Sequence, residues 1–346
     1  MLALSVGRRI GLALALGAAL WLPQSQWASA AGTREGDDTN AGVAPQTAGD
    51  NHQAARLARI NTVRSWGYQL AGLKIEEAAA SPYDLQVVDA TTGLASEHPF
   101  TPAQVEQLKQ KPDGGRRIVV SYLSIGEAED YRPDYFSPEY MEEEAPDWLL
   151  KENKQWKGNR LIKFCEKGWH ATILGDEDGR NVYNSIEPSP LYKIIEAGFD
   201  GVYLDRVDVY SEVKKYCPDA ETAMVDFVVR LAAHARKKNP DFIVILQNAE
   251  ELLQHKKMRD AIDAVGKEDL IFGADNSQKQ NSESAIRESI AHLRRAKEAG
   301  RPVFVIDYVK DKASIAKARR RIEEQGFIPY IGPRDLAKLW LPGRDF

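Results

Sequence analysis

200-DGVYLDRVD-208 is an apolar run closed by a carboxylate, and four more stretches repeat its design: 118-IVVSYLSIGEAED-130, 242-FIVILQNAEE-251, 261-AIDAVGKED-269 and 302-PVFVIDY-308. Each apolar run has the length and the β-branched or aromatic content of a buried strand. Each acid comes just past the C-terminal end of its strand, where parallel α/β sheets place their active sites. A strand buried on both faces cannot carry charge in its middle, so the acids collect at one edge. Acids at several strand ends, with no histidine cluster of metal-binding type, suit carboxylate chemistry on a neutral or cationic ligand. Cleavage of a glycosidic bond comes first among such reactions.

Outward from these runs the chain alternates strand and helix. Strands are expected at 66–70, 85–90, 117–123, 160–165, 201–205, 242–247, 262–265, 302–307 and 327–331. Helical spacing with acidic starts or basic ends marks 219–239, 281–300 and 312–326. Repeated βα units predict a parallel sheet, either open or closed into a (β/α)8 TIM-type barrel. Acids spread over strand ends along the whole chain favour the barrel, because closure brings every C-terminal end to one mouth. Neither G-x-G-x-x-G nor a Walker A motif occurs, which removes the usual nucleotide sites. Nine candidate strands for eight positions leave one extra. The stretch 131–160, with Trp148 and Trp156, is too long for a simple loop and is expected to carry a helix and a lid over the mouth.

The start of the chain has its own logic. Arg8 and Arg9 precede the apolar run 10-IGLALALGAALWL-22, and a small-x-small sequence ends at Ala30. This reads as a secretory signal peptide over 1–30, with an uncleaved membrane anchor as the alternative, so the product is expected to be secreted, either extracellular or periplasmic. Residues 31–55 are polar and aperiodic and read as a disordered spacer, leaving one domain over 56–346. Loss of the leader moves the formal charge from −5 to −7. A mildly acidic chain without a basic tract argues against nucleic acid and membrane surfaces as partners, and nothing points away from a monomer. Two cysteines, Cys165 and Cys217, both lie in the exported part. The strand reading puts Cys165 at the end of one barrel strand and Cys217 in the loop after the next. An oxidising compartment permits their pairing, with two free thiols as the alternative.

Glycoside cleavage needs one carboxylic acid to protonate the leaving oxygen and a second carboxylate to attack or to activate water. Asp205 closes one strand and Glu250 follows another through Gln247-Asn248-Ala249, so these two are the expected catalytic pair, Asp205 as nucleophile or base and Glu250 as an acid of raised pKa. Tyr122, Glu127, Arg206, Asp208, Asn248, Glu268, Asp307, Tyr308 and Tyr68 stand at or near strand ends and are expected to line the substrate site. Gly126 before Glu127 would let the backbone approach a ligand. No metal or cofactor is expected. The histidines show no H-x-H or H-x-x-x-H, and no G-x-S-x-G marks a serine hydrolase. A polysaccharide-binding protein on a degenerate barrel is the alternative from another class, and a metal-dependent deacetylase is a third.

The runs 65-SWGYQL-70, 121-SYLSIGEAEDYR-132, 199-FDGVYLDRVDVY-210, 246-LQNAEEL-252 and 303-VFVIDY-308 resemble the endo-α-1,4-polygalactosaminidase family, glycoside hydrolase family 114. The likeness spans about residues 62–340. It implies a TIM-type barrel that hydrolyses polymers of α-1,4-linked galactosamine, a cationic amino-sugar substrate. It also places the family's catalytic Asp on Asp205, its catalytic Glu on Glu250, and a tyrosine and glutamate of the third strand on Tyr122 and Glu127. One departure stands out: the family's K-Y-W-D-x-x-W reads 163-KFCEKGW-169 here, with Cys165 and Glu166 in place of the aromatic and the aspartate.

Overall fold

The computed structural model describes residues 48–92, 98–132, 145–154, 156–176, 178–181, 184–274 and 277–345. Eight parallel strands follow one another around a nearly closed barrel: β1 (Trp66–Gln69), β2 (Leu85–Val88), β3 (Ile118–Ser124), β4 (Gly201–Asp205), β5 (Ile243–Gln247), β6 (Ala264–Glu268), β7 (Val303–Asp307) and β8 (Ile328–Ile331). Each hydrogen-bonds its sequence neighbour in parallel register. At the seam, the Trp66 indole N–H donates to the Ile328 carbonyl at 3.0 Å.

Period-two alternation sorts the side chains. Trp66, Tyr68, Tyr122, Tyr203, Phe304 and Tyr330 fill the barrel interior. The residues between them, such as Val119, Leu123, Val202, Leu204 and Val265, face the surrounding helices. Interior rings this large need space opposite them. A Cβ on Gly266 would stand 2.1 Å from Tyr203 Oη, so only glycine fits there.

Three helices expected from spacing form over Ala220–Lys238, Glu283–Glu298 and Lys312–Glu323. Ser282 and Asp311 cap the latter two by accepting from the N–H groups of Ala285 and Ser314, as N-cap side chains do. The polar spacer expected up to residue 55 ends sooner, because Ala48–Ile60 is a helix. Its arginines find buried acids. Arg56 Nε meets Asp263 Oδ1 at 3.0 Å and Arg59 meets Asp200 Oδ1 at 2.7 Å. Asp200 and Asp263 immediately precede β4 and β6, and their other oxygens accept from the Val119 and Val244 N–H groups. The two acids at these N-terminal strand ends are thus neutralised and structural.

The extra ninth strand is 160–165. Asn159–Ile162 lies outside the barrel, pairing antiparallel with Glu127–Glu129 on one side and Leu149–Glu152 on the other. Its residues are mostly half-buried, as suits a small excursion sheet and not a strand enclosed by barrel and helices. Cys165 therefore follows an excursion strand and not a barrel strand. It is bonded to Cys217, 52 residues on, with Cα atoms 5.7 Å apart. The bond ties the excursion to the loop after β4. Replacing both cysteines by serine is expected to lower stability by about 2–4 kcal/mol, the usual range for a disulfide closing a long loop. Denaturant melts with and without reductant check this, and coincident midpoints would overturn it. The leader over 1–30 lies outside the described residues, as does most of the stretch where the helix and lid over 131–160 would begin. Among the described residues no helix is long and apolar enough to cross a membrane.

Candidate active site

Asp205 is the last residue of β4, on the inward parity of Tyr203. Tyr122 Oη, from the neighbouring β3, donates to its Oδ2 at 2.7 Å. Arg206 next in the chain adopts a left-handed φ of 57°, and its backbone N–H donates to Oδ1 at 2.7 Å. Burial, and then the charge of Glu268, pushes the Asp205 carboxyl up to about 7, against the opposing pull of Tyr122 and Arg206.

Glu268 closes β6 on the inward parity of Ala264 and Gly266. Gln247 Nε2 donates to its Oε2 at 2.6 Å, Asn248 Nδ2 donates to the same oxygen at 3.2 Å, and Tyr308 Oη donates to Oε1. Asn248 also accepts from the Glu268 N–H at 3.1 Å. Three neighbouring strand ends thus fix one carboxyl. Tyr308 is braced in turn by Arg334, whose guanidinium lies 4.4 Å from the ring centroid while pairing with Asp269 at 2.6 Å. Burial pushes Asp269 up to about 6 despite that arginine. Below the two carboxyls, Tyr68 and Tyr203 pack with ring centroids 5.1 Å apart. Burial first raises the Tyr68 hydroxyl, followed by the charges of Tyr203, Glu268, Asp205 and Asp89. Asp89, just past β2, is held by Arg132 at 2.9 Å, and Arg132 reaches Glu129 at 2.6 Å and lies over the Tyr122 ring.

Glu250 stands elsewhere. Asn248 and Ala249 both take left-handed φ values, 53° and 49°, and this double turn carries Glu250 off the strand direction. Its Oε1 meets Lys267 Nζ at 2.8 Å and accepts from Ser289 Oγ at 2.6 Å. Lys267 has the outward parity of β6, and Ser289 belongs to the helix Glu283–Glu298, so Glu250 is packed between barrel and outer helix. Burial works to raise its carboxyl, but the Lys267 charge and the hydrogen bonds prevail and hold it below the ordinary value. The expectation of an acid with raised pKa at Glu250 is therefore corrected.

Two further expected site residues are occupied structurally. Glu127 is wholly buried; Asn153 and Asn159 donate to it at 2.6 and 3.0 Å, and Arg206 Nε lies 3.1 Å away. It anchors the excursion sheet to the β4 loop. Gly126 beside it serves that packing, since a Cβ there would stand 1.9 Å from the Arg206 carbonyl oxygen; the backbone approach is to protein and not to a ligand. Asp307 has the outward parity of β7 and accepts from the Ile271 and Phe272 N–H groups, with burial first among the causes raising it to about 7. Arg206 is divided among Glu127, Asp208 and Glu212, and Asp208 is half-exposed beside it. The structure thus brings Asp205, Tyr122, Glu268, Asn248, Tyr308 and Tyr68 together, and leaves Glu250, Glu127 and Asp307 outside. Glu268 could have been singled out by parity: it lies an even number of residues from Gly266 and Ala264, whose small size marks the crowded interior. No group of three or more His, Cys, Asp or Glu side chains among the described residues is placed to hold a metal ion.

Comparison with known proteins agrees with this architecture. An uncharacterized protein of Deinococcus radiodurans is 34% identical over 289 residues, covering 82% of this chain and 84% of the relative. An uncharacterized protein of Methanocaldococcus jannaschii is 33% identical, covering 78% of this chain and 75% of that one. The glycoside hydrolase domain of PelA from Pseudomonas aeruginosa superposes with a TM-score of 0.60 at 17% identity, covering 80% of this chain and 97% of the domain, and so shares the fold. The sequence pattern of glycoside-hydrolase family GH114 matches residues 46–343. With a parallel barrel carrying two coupled carboxyls at its mouth, the chain belongs to glycoside hydrolase family GH114 and is a glycoside hydrolase.

Proposed function

We propose that the protein is a secreted endo-glycosidase that hydrolyses α-1,4-linked galactosamine polymers, with Asp205 and Glu268 as its catalytic pair. The observation that carries the pairing is the placement of these two carboxyls at inward-facing strand ends of one mouth, near enough that the Glu268 charge adds to burial in raising Asp205. Both end inward-facing strands, and each is fixed by donors from neighbouring strand ends. Below about pH 7 a proton rests on Asp205 in the free protein, whose carboxyl is pushed up to about 7 by burial and then by the charge of Glu268. On substrate binding that proton passes to Glu268, leaving Tyr122 and the Arg206 N–H to hold Asp205 as an anion. Glu268 then gives its proton to the glycosidic oxygen as the C–O bond breaks. Asp205 attacks the anomeric carbon or takes a proton from the attacking water.

The pH dependence follows from the sign of the shift. Activity requires that the pair keep one proton, and that proton leaves as pH rises through about 7. The rate is expected to fall above about pH 7, and a rate still climbing at pH 9 would contradict the shared proton.

The choice of a cationic substrate is supported by charge. Among the described residues, the acids Asp89, Glu129, Asp205, Asp208, Glu212, Glu268 and Asp269 around the mouth outnumber the arginines beside them, Arg132, Arg206 and Arg334. An ammonium group offsets the cost of desolvating such acids through charge-assisted hydrogen bonds, about twice as strong as neutral ones. Galactosamine oligomers of defined acetylation, incubated with purified protein and followed by mass spectrometry, test the reading. Internal cleavage of chains with free amines is expected, weakening as salt screens the mouth. Equal, salt-independent rates on fully acetylated chains would overturn the amino-sugar assignment. Binding without any product would favour a polysaccharide-binding protein.

A further inference from the structure

Each oxygen of a carboxylate has two lone pairs to offer. On Glu268 both of those on Oε2 are taken, by Gln247 Nε2 at 2.6 Å and Asn248 Nδ2 at 3.2 Å. Among the described residues one donor reaches Oε1, the Tyr308 hydroxyl. The proton that Glu268 gives away therefore rides on Oε1, while the other lone pair of that oxygen accepts from Tyr308. Burial, and then the Glu268 charge, raises the Tyr308 hydroxyl, so it keeps its proton and remains a donor. In the reaction the proton passes from Oε1 to the glycosidic oxygen, which also takes the electron pair of the breaking C–O bond. Glu268 is left as a carboxylate. Its bond from Tyr308 is then charge-assisted and stronger than before, which favours the transfer.

Tyr308 can act in this way only if its ring is held in place. The ring is covered by Arg334, three residues past the end of β8, whose guanidinium lies 4.4 Å from the centroid. The guanidinium is fixed by its edge in turn. Nη1 donates to Asp269 Oδ2 at 3.0 Å and Nη2 to Asp269 Oδ1 at 2.6 Å, a two-pronged pairing that sets the plane as well as the position. Nη2 also reaches the Gly273 carbonyl at 3.4 Å. Asp269 directly follows Glu268 and has a left-handed φ of 53°, a state that a non-glycine residue keeps only where its surroundings impose it. Gly273 leaves room for the pair, since a Cβ there would stand 2.6 Å from Asp269 Oδ1 and 2.8 Å from Arg334 Nη2. Lysine in place of Arg334 matches the charge but neither the fork nor the stacked plane.

We propose that Arg334 is a positioning residue for the reaction, holding Tyr308 against the proton-bearing oxygen of Glu268. The proposal deepens the reading of Glu268 as proton donor and rests on it.

The test compares the parent with Tyr308→Phe, Arg334→Met, Arg334→Lys and the combination of Tyr308→Phe with Arg334→Met. On galactosamine polymer, kcat is expected to fall about tenfold to hundredfold in Tyr308→Phe and in Arg334→Met, the scale of a slightly misplaced reacting group. KM should not change in Arg334→Met. On a galactosamine oligomer whose reducing end carries fluoride, which leaves without a proton, most of the loss should vanish. The combined variant should be little slower than Tyr308→Phe alone, because the arginine acts through the hydroxyl. Arg334→Met strands the Asp269 carboxyl, so two variants guard against a loss of fold. Tyr308→Phe keeps the Arg334–Asp269 pair, and Arg334→Lys should melt near the parent while its kcat on polymer still falls. Equal losses on polymer and fluoride, additive effects in the combined variant, or parental kcat in Arg334→Lys would overturn the proposal. Glu268→Gln, assayed alongside, separates this failure from that of the underlying reading. If it too loses equally on both substrates, Glu268 is not the donor. If it recovers on fluoride and the Arg334 variants do not, the donor stands and Arg334 has no positioning role.

Discussion

Glu268→Gln and Asp205→Asn are each expected to reduce hydrolysis of the polymer by about a hundredfold to ten-thousandfold, the usual contribution of a positioned acid or base. Both changes keep shape and most hydrogen bonds, so the fold should persist. The two variants should then separate by leaving group. A sugar bearing an activated leaving group, such as fluoride or dinitrophenolate, needs no proton from Glu268, so Glu268→Gln should recover much of its rate on that substrate. Asp205→Asn lacks the attacking or water-activating group and should not recover. Recovery in Asp205→Asn alone would exchange the roles, and near-parental turnover in either variant would remove that residue from the mechanism. Stability supplies an independent check on Asp205. Its folded-state pKa of about 7 lies above the ordinary 3.8. The folded protein therefore holds a proton that the unfolded chain has released, and the carboxyl costs stability increasingly as pH rises from about 4 to about 7. Asn has nothing to ionise, so the melting temperature of Asp205→Asn relative to the parent should climb across that window and level off above it.

Glu250→Gln is expected to do the opposite: to weaken the fold by about 3–5 kcal/mol, the cost of stranding one member of a buried ion pair, and to leave chemistry per folded molecule nearly intact. Lys267 would remain buried between barrel and helix with its charge uncompensated. Replacing both partners, Glu250→Leu with Lys267→Met, should restore most of the loss, because well-packed apolar pairs often match buried ion pairs. The pair's pH window has the reverse sign to that of Asp205. Glu250 is held below its ordinary 4.5, so its contribution is present above that pH and fades as acid protonates it. Urea melts at neutral and acid pH, with activity normalised to folded protein, read both effects. A Glu250→Gln variant as stable as the parent but inert would return Glu250 to the catalytic pair.

The barrel was legible because its strands are largely buried and so nearly free of charge before their C-terminal ends, with turn residues and amphipathic helices spaced between them. Asp205, Tyr122, Asn248, Glu268, Tyr308 and Tyr68 could be placed at the mouth on the same grounds, since a buried strand tolerates polar groups only at its end. The excursion strand reads as a barrel strand because 160–165 has the apolar content of one, and whether a strand pairs in parallel or antiparallel is a property of its partner. The left-handed turn at Asn248-Ala249 decides which way Glu250 points, and alanine carries no signal for such a φ. Asp307 and Glu268 each close a strand, and one residue of parity sends the first outward to cap a loop and the second inward to the site. Sequence by itself determined that this chain closes a parallel barrel with carboxyls at the C-terminal strand ends, because burial forbids them elsewhere. Only the tertiary structure decided which carboxyls meet at the mouth and which are spent on lysine, asparagine or backbone, because that depends on neighbours up to dozens of residues away in the chain and a few ångströms away in space.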